Sequence, residues 1–253
     1  METIEKAILN RTTLLLGDIV MEKVTSARVI IFGVGGVGSW CAESLVRSGI
    51  RRMTIVDPDR ICITNVNRQA MANAGNVGRV KVDALKERLL EINPAADIEA
   101  VQDVFSADTA ERFHLEAYDY IIDAIDSLKD KIELIVRATD KDLKGTKLFS
   151  AMGAALKIDS TQIRVSEFWN VRGCPLGAIL RKRMRQSGRL PGREFLCVWS
   201  PEVLPNLGEH HACDESGNMF NKAQVNGTTA HITGIFGFTL AGLVLQDIYN
   251  KGH

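Results

Sequence analysis

Ten residues constrain this chain more than any others. Val29-Ile30-Ile31-Phe32 is a short apolar run, and Gly33-Val34-Gly35-Gly36-Val37-Gly38 follows it at once. Next comes Ser39-Trp40-Cys41-Ala42-Glu43-Ser44-Leu45, whose composition suits a helix. The pattern predicts a buried strand, a tight turn and a helix start. Glycines at such a turn let the backbone take positive φ and come close to a ligand. The helix start then offers unpaired N–H groups and a positive dipole end to a phosphate. A glycine turn that serves only strand–helix packing is the bland alternative.

Gly33, Gly35 and Gly38 also satisfy the G-x-G-x-x-G dinucleotide pattern, and Asp57 closes the next apolar strand where a ribose-binding acid belongs. The glycines therefore leave an NAD-dependent oxidoreductase open, and the downstream residues have to decide.

Length allows a sizeable α/β core, and the ordinary composition excludes collagen, coiled coil and disorder. Net charge is formally +0, so no global field points to nucleic acid or membrane. The first residues are mixed in charge and lack the apolar core of a signal peptide. Five scattered cysteines suit a reducing cytoplasm, and none forms C-x-x-C, so no four-cysteine zinc site is expected.

Residues 2–24 read as helix. Residues 28–57 read as strand, turn, helix, a C-cap at Gly49 and a second strand, joined by a right-handed crossover. The loop Asp57-Pro58-Asp59 to Asn65-Val66-Asn67-Arg68-Gln69 is longer than a plain strand–helix connection needs. A helix over 79–92 follows, with Lys81 in its first turn, where a lysine opposes the dipole and an anion would relieve it. Strands are expected at 98–101, at 118–127 running into an acidic tip, and at 147–150, with a short helix at 108–115 and a helix at 129–139. Asp126 at the tip of the fourth strand suits either a magnesium ion with its phosphates or, with Ser127, a helix N-cap. Residues 161–169 alternate as a half-exposed, antiparallel strand, and 195–199 form another.

Residues 172–193 carry Arg172, Arg181, Lys182, Arg183, Arg185, Arg189 and Arg193 and only basic charges over that run. They form either a solvated helix face or a phosphate-contacting patch. His210-His211-Ala212-Cys213-Asp214 has metal-like composition, but its spacing fits no standard zinc site. Residues 228–249 approach the length of a membrane span. Three glycines and the Gln246-Asp247 pair favour a buried core helix instead, with peripheral membrane contact left open.

Taken together, Gly33 to Gly38, Asp57-Pro58-Asp59, Asn65-Val66-Asn67-Arg68-Gln69, Gly78-Arg79-Val80-Lys81 and Asp123-Ala124-Ile125-Asp126 resemble the ubiquitin-activating-type adenylyltransferases. Asp-Ala-Ile-Asp-Ser at 123–127, Asp159-Ser160-Thr161-Gln162-Ile163 and the basic stretch resemble the branch of tRNA threonylcarbamoyladenosine dehydratases, over nearly the whole chain. The resemblance implies one α/β adenylation domain over 1–253: a helical segment at 1–25, a Rossmann-like, mainly parallel half at 26–158 and a substrate-binding and dimerisation half at 159–253 with antiparallel strands. It implies ATP and magnesium as cofactors. Asp57 would bind the ribose, while Asn65, Arg68 and Lys81 would hold the phosphates and Asp126 the magnesium. Gly33, Gly35, Gly36, Gly38, Asp59, Asn67, Gln69 and Ser127 would complete the nucleotide site. Arg11 would reach the ATP of the partner subunit in a homodimer. Arg181, Lys182, Arg183, Arg185, Arg189 and Arg193 would contact tRNA.

The implied reaction adenylates the threonyl carboxylate of the modified adenosine, then closes a hydantoin or oxazolone-type ring with release of AMP. Two departures matter. The sulfur-carrier activators of this family hold zinc in paired C-x-x-C motifs and carry Asn where this chain has Ser127. Activation of a carrier protein ending in Gly-Gly, with a cysteine desulfurase or sulfur acceptor as partner, is the nearest rival. A nucleotide-binding adaptor without catalysis is another. Cys197 and Cys213 could carry a thioester in such relatives, but Cys197 lies in an apolar strand where an inert core cysteine is expected.

Overall fold

A computed structural model describes residues 2–208 and 226–252. Its centre is one seven-stranded sheet in the order β3-β2-β1-β4-β5-β7-β6. The strands are β1 (Arg28–Phe32), β2 (Arg52–Val56), β3 (Asp97–Val101), β4 (Tyr120–Asp123), β5 (Lys147–Ala151), β6 (Arg164–Glu167) and β7 (Leu196–Trp199). All neighbouring pairs are parallel except β6 with β7. The expected architecture is thus present, and β7 joins the parallel sheet directly beside β5 while β6 forms an antiparallel edge.

The helices are α1 (Glu2–Ile8), α2 (Asn10–Leu16), α3 (Asp18–Ser26), α4 (Gly38–Ser48), α5 (Lys81–Ile92), α6 (Leu128–Ala138), α7 (Pro175–Ser187) and α8 (Ala230–Asn250). They cover both faces of the sheet, which is why β1 is apolar at successive positions. Val29 and Ile31 enter one core with α4, α5 and α8. Ile30 and Phe32 enter the other, beneath α6 and α7. In β1 the alternation of a strand thus feeds two cores at once.

Four expectations need correction. The single helix over 2–24 is three helices: Leu9, at φ −87° and ψ 2°, separates α1 from α2, and Gly17, at φ 76°, separates α2 from α3. The helix over 108–115 is two 3-10 turns, Ala110–Phe113 and Leu115–Ala117, parted by His114 in the left-handed region. The strand over 161–169 shrinks to β6. Asp159 accepts from the Thr161 N–H before it, and Glu167 accepts from the Trp169 N–H after it. These side chains offer the backbone turn-forming bonds that compete with the ladder. The helix predicted from 79 starts at Lys81, after Arg60 and Val80 form an isolated antiparallel bridge.

The apolar stretch near the C-terminus is α8, long and apolar enough to span a membrane by length and composition. Here it packs along α4 and the sheet, with Ile232, Phe236, Leu240, Ala241 and Val244 fully buried.

Candidate active site

The strand order reverses between β1 and β4, so their C-terminal ends open a crevice, the usual ligand position in open α/β sheets. The glycine loop fills the mouth of that crevice. Gly33 has φ 86°, and its N–H donates to the Val56 carbonyl at 2.8 Å. A Cβ at Gly33 would stand 2.6 Å from the Ala124 carbonyl oxygen, and one at Gly38 would stand 1.9 Å from that of Gly33. No side chain fits at either place. Among the described residues, the only neighbour within 4 Å of such a Cβ at Gly35 is Gln69 Nε2, at 3.9 Å. That side of the loop therefore stands open to a ligand. Behind it begins α4, whose first N–H groups and dipole favour phosphate.

Asp57, at the end of β2, is buried and accepts from the N–H of Val34 (2.8 Å) and of Asp59 (3.0 Å). Burial pushes its carboxyl above the usual range, and the Lys81 charge and these two N–H groups only partly offset that. Lys81 Nζ bonds Asp59 Oδ2 at 2.7 Å and lies 3.7 Å from Asp57 Oδ1. The lysine's awkward place in the first turn of α5 is thus answered within the chain by two carboxylates.

The long loop folds over the glycines. Asn65 Oδ1 accepts from the Cys62 N–H and shapes a 3-10 turn at Ile63–Asn65. Asn67 donates from Nδ2 to the Thr228 carbonyl at 3.1 Å, which ties the loop to the start of α8. The Arg68 guanidinium donates to the Thr64 carbonyl (2.8 Å) and to Asn67 Oδ1 (2.9 Å). Its backbone carbonyl accepts from Trp40 Nε1 at 2.9 Å. Burial lowers the Arg68 pKa, and the charges of Cys62 and Asp126 work against that shift. Arg68 and Asp126 therefore share one electrostatic neighbourhood although they lie far apart in sequence. Gln69 is buried, and among the described residues its Oε1 has no hydrogen-bond donor.

Asp126 is exposed on the loop that leaves β4. Ser127 occupies the N-cap position of α6, but its hydroxyl donates to Asp130 Oδ2 at 2.7 Å and makes no cap bond. Three residues that sequence reasoning did not assign hold this loop. Asp123 and Lys131 form a fully buried ion pair at 2.8 Å. Lys131 also donates to the Ile125 carbonyl at 3.1 Å, and Ser150 Oγ donates to Asp123 Oδ2 at 2.6 Å. The signal was a lysine on the apolar face of α6, three and four residues before Leu134 and Ile135.

Arg11 is exposed on α2, and among the described residues no hydrogen bond or ion pair ties it to this cluster. Cys197 is wholly buried and burial holds its thiol well above the ordinary value. Cys213, with His210 and His211, lies outside the described residues. Among the described residues no group of three or more His, Cys, Asp or Glu is placed to hold a metal. A cavity of about 330 Å³ lies elsewhere, beside the start of β5, lined by Lys147, Phe149, Arg193, Leu243 and Asp247.

Sheet order, the glycine loop, the Asp57–Lys81–Asp59 cluster and the loop of Arg68 folded over the glycines define a nucleotide-binding α/β enzyme of the adenylate-forming type. The sequence matches the ThiF family over residues 9–252, and the chain belongs to that family. A tRNA threonylcarbamoyladenosine dehydratase of Haemophilus influenzae is 33% identical over 238 residues, covering 91% of this chain and 89% of the relative. The structure of the Escherichia coli tRNA N6-threonylcarbamoyladenosine dehydratase in complex with ATP superposes with a TM-score of 0.83 at 32% identity, covering 97% of this chain and 95% of that one. Its complex with AMP gives a TM-score of 0.82 at 31% identity with the same coverage.

Proposed function

We propose that this chain is an ATP-dependent dehydratase of N6-threonylcarbamoyladenosine in tRNA. The observation that carries this reading is full-length similarity to dehydratases, one of them seen with ATP and with AMP, over the sheet and loops that build the site.

The reaction runs in two steps. A threonyl carboxylate oxygen attacks the α-phosphorus of ATP, a P–O bond breaks and pyrophosphate leaves. A nucleophilic atom of the carbamoyl-adenine unit then attacks the activated carbonyl carbon, loses its proton, and AMP leaves as the ring closes. Both steps pile negative charge on phosphate oxygens, so fixed positive groups and N–H dipoles are what the protein must supply. In this reading Asp57 and Asp59 accept from the ribose, and Gly33 to Gly38 let the backbone approach the phosphates. Asn65, Asn67, Arg68, Gln69 and Lys81 surround the triphosphate.

Asp126 and Ser127 face it from the β4 side. An exposed carboxylate beside phosphates is the donor set magnesium prefers, since that ion keeps several waters and takes one or two carboxylates. Asp126 fits that role, and the ion would neutralise the leaving pyrophosphate. The chain works as a cytoplasmic homodimer in which Arg11 completes the partner's site.

The test is AMP release from labelled ATP and magnesium. It should require threonylcarbamoylated tRNA and fall about 100-fold or more in Asp126→Ala and in Arg68→Ala. Absence of stimulation by the modified tRNA sinks the dehydratase reading. Stimulation by a carrier protein ending in Gly-Gly would then put sulfur-carrier activation in its place.

A further inference from the structure

The basic stretch divides into two groups with different uses. Arg189 donates to Glu133 Oε2 at 2.5 Å. Arg193 gives its guanidinium N–H groups to the carbonyls of Ala138 (3.0 Å), Thr146 (3.2 Å) and Thr139 (3.4 Å). Both are committed to fastening the segment after α7 onto the end of α6.

The remaining cations are different. Arg172, Arg181 and Arg185 stand near enough together that, after burial, the charges of Arg172 and Arg185 are what depress the Arg181 pKa. Among the described residues no carboxylate pairs with any of them, nor with Lys182 or Arg183 beside them. A cluster of like charges costs free energy in the free protein, and an anion would relieve it.

The cluster is also pre-organised. Arg181 lies over the Phe168 ring at 6.0 Å and donates to the Phe168 carbonyl at 3.3 Å. Arg185 lies over the Trp169 ring at 4.8 Å. Arg172 donates to the carbonyls of Trp169 and Val171. The two rings stand edge to face at 5.2 Å and make a shelf for the guanidinium planes. Guanidinium groups held this way lose little rotamer freedom when they meet a phosphate, and their forks match its oxygens. Arg181 and Arg185 are one turn apart, about 6 Å along the axis, close to the spacing of successive phosphates on an RNA strand.

Position agrees with this. α7 starts against Gly153, two residues past the end of β5, where Leu176 packs. That is the end of the sheet to which β1 and β4 also run, the end that carries the glycine loop.

We infer that this shelf is where the RNA backbone docks, with Arg172, Arg181 and Arg185 holding phosphates and Lys182 and Arg183 at its rim. The inference rests on the tRNA dehydratase reading and names the surface that reading needs.

The test is fluorescence anisotropy of labelled substrate tRNA with the full-length protein across a series of KCl concentrations. For Arg172→Gln/Arg185→Gln, affinity at physiological salt should fall about tenfold or more, and the slope of log K against log salt should shrink by about 1.4 to 1.8. Lys182→Gln/Arg183→Gln breaks no side-chain bond among the described residues and should also reduce the slope. KM for tRNA should rise, with ATP affinity and kcat at saturating tRNA retained. Arg189→Gln should lower Tm and keep the wild-type slope. Wild-type slope and affinity in both double variants would overturn the shelf. So would lost affinity with an unchanged slope, since that marks a change of fold rather than lost phosphate contacts. If the wild-type protein binds no tRNA at all, the dehydratase reading itself has failed.

Discussion

Asp57 is the residue whose chemistry pulls two ways. Burial raises its pKa, and Lys81 with the Val34 and Asp59 N–H groups recovers only part of the loss. A raised pKa means that the folded state keeps a proton which the unfolded chain has already released. The stability from this group is therefore full below the ordinary aspartate range and is lost as pH rises through the raised value. In the proposed ribose site nucleotide binding would run opposite, because ribose hydroxyls would donate to the ionised carboxylate. ATP affinity should rise with pH over the window just above the ordinary aspartate range, as isothermal titration would show. Asp57→Asn should flatten that profile and bind ATP more weakly, with stability at neutral pH retained. An unchanged pH profile in Asp57→Asn would remove Asp57 from the ribose site. The Asp123–Lys131 pair is a sharper case, since neither charge touches water. Lys131→Met leaves a buried unpaired carboxylate and should cost about 3–5 kcal/mol. Lys131→Met/Asp123→Asn should recover part of that in urea unfolding. Strict additivity of the two single changes would show that the pair does not act as a unit.

Two long-range features decide how the elements sit. α8 lies so close on α4 that a Cβ at Gly237 would be 2.5 Å from the Val37 carbonyl oxygen and 2.8 Å from the Cys41 nitrogen. Both are backbone atoms next to the glycine loop and cannot swing aside. Gly237→Ala should therefore cost about 1–3 kcal/mol and lower Tm by about 2–4 °C per kcal/mol. A calorimetric Tm equal to wild type would disprove the close packing. That contact explains what sequence could and could not reveal. β1, the glycine loop and α4 were legible because apolar run, turn and helix start are local signals. α8 was legible as an apolar helix, but its partner was not, since Gly237 meets Val37 and Cys41 across almost 200 residues of chain. Asp123 and Lys131 escaped notice for the same reason: a buried pair is defined by what surrounds it in space. β6 was overestimated because alternation continues through Phe168, while the bond from the Trp169 N–H to Glu167 turns the chain. Within the site, the motif residues could be picked out from the sequence, but the meeting of Lys81 with Asp57 and Asp59 and the bonds of Asn65 to Cys62 and of Ser127 to Asp130 could be seen only in three dimensions.

For the whole molecule, the trans role proposed for Arg11 needs a surface on which two copies meet. It sits on helices whose outer side is unusually apolar: Leu14 is 75% exposed, Leu15 79% and Ile19 69%. Three large aliphatic side chains on neighbouring helices, left in water around an arginine, favour burial against a second copy. In a two-fold dimer each such surface faces its own equivalent, so Arg11 would leave its own chain and enter the other's site. Leu14→Glu/Leu15→Glu should shift sedimentation from dimer to monomer and abolish AMP release with the fold intact by circular dichroism. Mixing dead variants gives the decisive measurement. Arg11→Ala and Asp126→Ala should each be inactive alone. Co-expressed, their heterodimers contain one site with Asp126 from one chain and Arg11 from the other, and one site with neither. Random pairing should therefore restore about a quarter of wild-type activity. If Arg11 served its own chain, every site in the mixture would lack one of the two groups. Co-expression would then restore nothing, and the apolar helices would need another explanation.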